Sequence, residues 1–204
     1  MTGVGGFEAI VLAAGAGTRF GGGKLLAPYG DGVLLEGALR AAFAAPVRTV
    51  TVVTGSDPSR VGAAVMAYAR QAGQDERLKV VHAADHAEGM GASLRHAAAA
   101  LPADAEGVYV FLGDMPRIPA SILEPLAQAV RDGAPAAAAT FVGKRGHPAL
   151  IGAALIPQLL TLKGDAGARA VLQALGDRLV LIEAPDDGVL FDVDKPADLP
   201  GSTR

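Results

Sequence analysis

Residues Leu12-Ala13-Ala14-Gly15-Ala16-Gly17-Thr18-Arg19-Phe20-Gly21-Gly22-Gly23-Lys24 place two cations in a loop otherwise built mostly of small residues. Small residues let backbone N–H groups close on an anion, and Arg19 and Lys24 add charge that an amide cannot supply. The chemistry is phosphate binding, and the density of positive charge suits a triphosphate better than the pyrophosphate of a dinucleotide. Two common templates fail here. The dinucleotide pattern G-x-G-x-x-G accepts Gly15 and Gly17 but needs glycine at Phe20. The P-loop needs glycine at Thr18 and a hydroxyl residue at Leu25.

Two acidic turns follow, Gly113-Asp114-Met115-Pro116 and Asp192-Val193-Asp194-Lys195-Pro196. A carboxylate from each is a suitable way to hold Mg²⁺, a hard ion bound through one or two carboxylates plus substrate phosphates and water. Asp192 and Asp194, at alternate positions leaving a strand expected near 188–191, should share a face. Either turn alone reads equally well as a structural turn or an N-cap; beside the basic loop, the metal reading gains. Among the histidines, His82 and His86 are four apart but straddle a strand end and lack the glutamate of a zincin motif. They read as surface or loop residues, Asp85 and Glu88 as solvated, Asp165 as a helix N-cap, and His147, taken alone, as a turn residue.

The elements that must position these groups alternate. Short β-rich runs are expected at 7–13, 47–53, 78–82, 108–112, 137–142, 148–151, 179–183 and 188–191. Helical spacing is expected around 35–43, 57–70, 92–101, 123–130, 153–161 and 166–175. Asp57 is a candidate N-cap with Pro58 in the first turn. Such alternation predicts a three-layer, Rossmann-like α/β fold, a mostly parallel sheet with helices on both faces. Ligands sit beyond the carboxyl ends of such strands, so loops 13–24, 54–57, 83–93, 113–117 and 192–196 should meet at one crevice.

Composition narrows the function classes. The 204 residues are 50% hydrophobic and 4% aromatic, with neither cysteine nor tryptophan. Disulfides, thiolate metal sites and a cysteine nucleophile are therefore excluded. Eighteen basic against 21 acidic residues give 18 − 21 = −3, spread along the chain, which argues against nucleic-acid binding. The first residues lack the pattern of a secretory signal, and the longest uncharged stretch, 146–162, is too short and interrupted to span a bilayer. A cytoplasmic protein without membrane contact is expected.

The first loop resembles the L-A-A-G-x-S-x-R-M-G-x-x-K signature of the MobA-like nucleotidyltransferases. Gly89-Met90-Gly91-Ala92-Ser93-Leu94, Gly113-Asp114-Met115-Pro116, Gly146-His147-Pro148, Gly164-Asp165-Ala166-Gly167-Ala168-Arg169 and Asp192-Val193-Asp194-Lys195-Pro196-Ala197-Asp198-Leu199 match further motifs in order. The resemblance spans about residues 7–199. Ala14 and the pair Asp192 and Asp194 are closest to the branch that attaches cytidylate to the molybdenum cofactor; the guanylyl branch usually reads L-A-G-G and N-x-N-T-P. Phe20, Ala92 and Lys195 depart from the usual Met, Ser and Thr, and Lys195 leaves the choice between Asp192 and Asp194 open.

The resemblance implies a single domain over 1–204, with a nucleotide-binding half at about 7–115 and an acceptor half at about 116–199. It implies transfer of CMP from CTP to the phosphate of molybdopterin, releasing pyrophosphate with Mg²⁺ as cofactor. Arg19, Lys24 and Asp114 would be catalytic, and Asp114, Asp192 and Asp194 the metal carboxylates. Leu12, Ala13, Ala14, Gly15, Gly17, Thr18, Arg19, Lys24, Thr54, Gly55 and Ser93 would bind the nucleotide. Arg145, Gly146, His147, Pro148 and Arg169 would bind the acceptor. A transient contact with a molybdenum hydroxylase would follow. The alternatives are guanylyl or sugar-phosphate nucleotidyl transfer on the same fold, and a cofactor chaperone without catalysis.

Overall fold

The computed structural model describes residues 6–199. In chain order the elements are β1 (Phe7–Ala13), β2 (Pro28–Tyr29), β3 (Gly32–Val33), α1 (Leu34–Ala44), β4 (Val50–Thr54), α2 (Pro58–Gln71), β5 (Leu78–His82) and α3 (Met90–Ala99). They continue with β6 (Gly107–Leu112), α4 (Leu123–Arg131), β7 (Ala136–Phe141), β8 (Lys144–Gly152), α5 (Ile156–Leu159), α6 (Arg169–Gln173) and β9 (Leu179–Glu183). Seven strands form one sheet in the order β5-β4-β1-β6-β8-β7-β9, and β2 pairs with β3 in a small hairpin. Within the seven-stranded sheet only β8 runs against its neighbours; the sheet's other pairings are parallel.

Strand alternation sorts the core into two layers. On β1, Phe7, Ala9, Val11 and Ala13 face a cluster that includes Leu35 and Leu39 of α1, Val61 and Val65 of α2, and Leu126 of α4. Ile10 faces the opposite cluster, with Leu94 of α3, Leu159 of α5 and Leu172 of α6. The sheet thus lies between two helical layers, and β1 is buried along nearly all its length, as a central parallel strand must be. The Glu8 carboxylate is also fully buried here, and it is matched by Arg48 Nε at 2.8 Å and the Thr49 backbone N–H at 3.1 Å. That clamp bends residues 47–49 out of the strand expected over 47–53, which starts at Val50.

Two further expectations are corrected. Residues 188–191 form no strand: a 3-10 turn spans Asp187–Val189, and a Cβ at Gly188 would lie 2.1 Å from the Arg117 carbonyl oxygen, so this apolar run is buried by crossing another loop. Asp192 and Asp194 therefore do not share the face of a strand. The helices expected over 153–161 and 166–175 shorten to α5 and α6, each preceded by a 3-10 turn. Asp57 does cap α2, its carboxylate accepting from the Arg60 backbone N–H at 3.2 Å.

Candidate active site

At the carboxyl edge of β1, β4 and β6 the chain ends are tied together by backbone bonds. Gly113 N–H donates to the Leu12 carbonyl at 2.9 Å, Ser56 N–H to Ala14 at 3.1 Å, and Val193 N–H to Asp114 at 3.1 Å. The last bond joins the two acidic turns. The basic loop returns to this edge through Gly21, Gly22 and Gly23, all at positive φ (92°, 92° and 65°), a conformation that side chains oppose. That bend brings Lys24 back onto β6.

There Lys24 Nζ lies 2.6 Å from Asp114 Oδ2 and 3.7 Å from Asp194 Oδ1, while Arg19 lies 2.8 Å from Asp194 Oδ2. Lys24 and Asp114 are largely enclosed, with side chains 13% and 23% exposed, whereas the Arg19 side chain is 75% exposed. Two cations and two carboxylates thus form a quartet linked in the order Arg19, Asp194, Lys24, Asp114. Asp194 is held by its own turn, in which Asp198 accepts from the backbone N–H groups of Asp194 and Lys195 at 2.9 and 2.8 Å. These amides hold the Asp198 carboxyl below the usual range.

Asp192 stands apart from the quartet. It makes no ion pair among the described residues, and burial, with the charges of Asp114 and Asp194, pushes its carboxyl above the usual range. Among the described residues no three Asp, Glu or His side chains converge as a ready-made metal cluster. Asp114 and Asp194 do share one cation, the Lys24 ammonium. A pair of carboxylates is the donor set that Mg²⁺ or Mn²⁺ accepts when phosphates and water complete its shell. Lys195 is exposed and pairs with neither carboxylate.

Two cavities adjoin this edge. One, of ≈ 510 Å³, is bounded by Ala14, Gly15, Ala16, Thr18, His86, Met90, Ser93 and Asp165. Gly55 lies behind it, where a Cβ would stand 2.4 Å from the Ala14 carbonyl oxygen. Thr54 points elsewhere: its hydroxyl donates to Val81 and its carbonyl accepts from Ala83, so it braces the β4 exit rather than facing the cavity. The second cavity, of ≈ 260 Å³, is lined by Leu12, Met90, Arg145, Gly146, His147 and Arg169 among others. Pro148, buried behind it, follows His147 through a cis peptide.

The second cavity is cationic. Arg145 and Arg169 have no ion-pair partner among the described residues, and burial together with Arg169 lowers the pKa of Arg145. His147 Nδ1 is buried with no hydrogen-bond partner. Burial lowers the His147 pKa against the opposing pull of the Val110 backbone and Asp114. Since Leu12, Met90 and Leu112 form part of the wall, this cavity draws on both sides of the division at residue 115.

Four residues take places that the sequence reading did not give them. His86 and Asp165 line the first cavity, and Asp165 and Met90 line both; Asp165 caps no helix. Asp85 is not merely solvated, since it accepts from Arg95 at 2.6 Å and lies 2.6 Å from His96 Nε2. The glycines around Met90 are the signal in the sequence that this segment is closely packed: a Cβ at Gly89 would stand 2.4 Å from Asp165 Oδ1.

A mostly parallel sheet with one reversed strand, a glycine-rich basic loop after β1 and paired carboxylates at the sheet edge define the nucleotide-diphospho-sugar transferase class of α/β protein. The chain belongs to the MobA-like NTP transferase domain family, whose profile it matches over residues 9–179. It is 33% identical over 193 residues to nicotine blue oxidoreductase of Paenarthrobacter nicotinovorans, covering 91% of this chain and 90% of that one. It is 27% identical over 192 residues to molybdenum cofactor cytidylyltransferase of Escherichia coli, covering 94% and 92%. A solved nucleotidyl transferase from Methanothermobacter superposes with a TM-score of 0.73 at 25% identity, covering 94% of this chain and 93% of that one. The family profile, the cytidylyltransferase and the solved nucleotidyl transferase support nucleotidyl transfer as the activity. No helix among the described residues is long and apolar enough to cross a membrane.

Proposed function

We propose that the protein transfers CMP from CTP to the terminal phosphate of molybdopterin in the cytoplasm, releasing pyrophosphate. The observation that carries the reading is the quartet of Arg19, Lys24, Asp114 and Asp194 at the carboxyl edge of the sheet. An acceptor phosphate oxygen attacks the α-phosphorus in line, a P–O–P bond forms, and the bond to the β-phosphate oxygen breaks. No nucleophile of the protein is required; positioning and charge neutralisation carry the rate.

In this reading the loop over Leu12, Ala13, Ala14, Gly15, Gly17 and Thr18, with Gly55 and Ser93, receives the nucleotide. Arg19 and Lys24 leave their carboxylates for the β- and γ-oxygens and neutralise the departing pyrophosphate. Arg145 and Arg169 take the acceptor's phosphate, and Gly146 and His147 form the wall of its pocket. Asp114 and Asp194 would hold Mg²⁺, which supplies charge neutralisation at the phosphate oxygens. The test is mass spectrometry of the product: the reading requires a cytosine dinucleotide of the pterin, and recovery of unmodified pterin contradicts it.

One observation favours a second reading, oxidoreduction: the 33% identity to nicotine blue oxidoreductase. Hydride transfer has no evident use for paired carboxylates beside two cations. Consumption of a reduced nicotinamide without pyrophosphate release would favour that reading.

A further inference from the structure

We propose that His86 selects the nucleobase by accepting a hydrogen bond at Nε2 from an exocyclic amine, so that the first cavity takes an aminopyrimidine over its oxo counterpart. The inference rests on the nucleotidyltransferase reading above. His86 opens a 3-10 turn, His86–Glu88, between β5 and α3. Its Nδ1 is 3.0 Å from the Ala83 carbonyl oxygen. A carbonyl can only accept, so Nδ1 carries the proton of the neutral ring and Nε2 is left as a bare acceptor. On its other side the ring abuts Gly55, where a Cβ would stand 2.7 Å from His86 Cγ. The imidazole is therefore fixed in both tautomer and place.

What makes this acceptor distinctive is that its neighbours are already engaged. The Ala14 carbonyl accepts from Ser56 N–H and the Gly15 carbonyl from Ser56 Oγ, both at 3.1 Å. Nε2 of His86 has no protein partner among the described residues, yet the ring lines the cavity. Asp165, a further acceptor in the wall, lies on the side shared with the second cavity, and the Thr18 hydroxyl can donate as well as accept. The Ser93 hydroxyl can donate or accept, so it tolerates either base. An amine at the pyrimidine 4-position would pair with Nε2, whereas a carbonyl oxygen there would face a lone pair.

Calorimetric titration of CTP and UTP against the wild-type protein, His86→Phe and His86→Leu tests this, with His86→Gln restoring an acceptor and circular dichroism confirming each fold. One neutral hydrogen bond predicts a wild-type preference for CTP of about tenfold. The Phe and Leu variants should bring the two affinities together by weakening CTP alone, and the Gln variant should recover part of the preference. An unaltered preference in a folded Phe or Leu variant, or no preference in the wild type, overturns the proposal and leaves nucleotidyl transfer standing. A wild-type protein that binds no nucleoside triphosphate overturns both.

Discussion

Lys24 Nζ lies 2.6 Å from Asp114 Oδ2, on a side chain only 13% exposed, and reaches Asp194 at 3.7 Å. The ammonium thus stands between the two carboxylates that, in the proposed reading, would hold the divalent ion, and a triphosphate would draw it away. In the ligand-free protein the quartet is satisfied internally, so metal and nucleotide should enter together.

Titration of Mn²⁺ followed by electron paramagnetic resonance checks that coupling. Without nucleotide the wild-type protein should bind Mn²⁺ weakly, and CTP should strengthen binding by about tenfold or more, because coupling free energies typically reach 1–3 kcal/mol. Lys24→Met should bind Mn²⁺ alone more tightly than the wild type. It should also lose CMP transfer by roughly a hundredfold, the scale of removing one charge-stabilising group. Equal Mn²⁺ affinity with and without nucleotide contradicts the exchange.

Asp114 and Asp192 should separate in kinetics. Asp114→Asn removes a member of the quartet, so turnover should fall by about a hundredfold or more while the thermal midpoint stays close to wild type. Asp192 makes no ion pair and pays for its place near two like charges, so Asp192→Asn should leave the fold unchanged or slightly more stable and retain most activity. Equal losses in the two variants would return Asp192 to the ligand set.

Arg145 and Arg169 should act on the acceptor alone. Each faces the second cavity without a carboxylate partner among the described residues. Substitution of either by Met should raise the acceptor KM by about tenfold, since a charged hydrogen bond contributes about 1.5–3 kcal/mol. The Kd for CTP should not move. A weakened CTP complex would place these arginines on the nucleotide instead.

His147 should leave a signature in stability against pH. Burial holds its folded-state pKa below the ordinary value of 6.5. Between that folded value and about 6.5 the unfolded chain binds more protons, so the contribution is fully present above 6.5 and is lost as pH falls toward the folded pKa. Urea midpoints should decline on acidification below 6.5, and His147→Gln should flatten that decline. An equal slope in wild type and variant contradicts the assignment.

Much of this was legible in the residues. β1, β5 and α2 fall close to their expected bounds because each joins a clear apolar period to a turn or cap signal, Asp57-Pro58 among them. The basic loop and acidic turns were visible as chemistry, and the structure brings Arg19, Lys24, Asp114 and Asp194 together. The run 188–191, with Gly188 and Val189 buried and Leu190 and Phe191 half-buried, reads alike as strand or as a turn beneath another loop; the approach of Arg117 decides it. β2 and β3, two residues each, carry no period to detect. His86 was read as a surface residue because its place depends on Gly55 and Ala83, brought beside it only by folding.

The most direct measurement of the central claim is pyrophosphate release with molybdopterin and Mg²⁺, compared across CTP, GTP, ATP and UTP. Release with CTP far above the other three, abolished by omitting molybdopterin, is the predicted result. Turnover with GTP alone, or no release with any nucleotide, would contradict it.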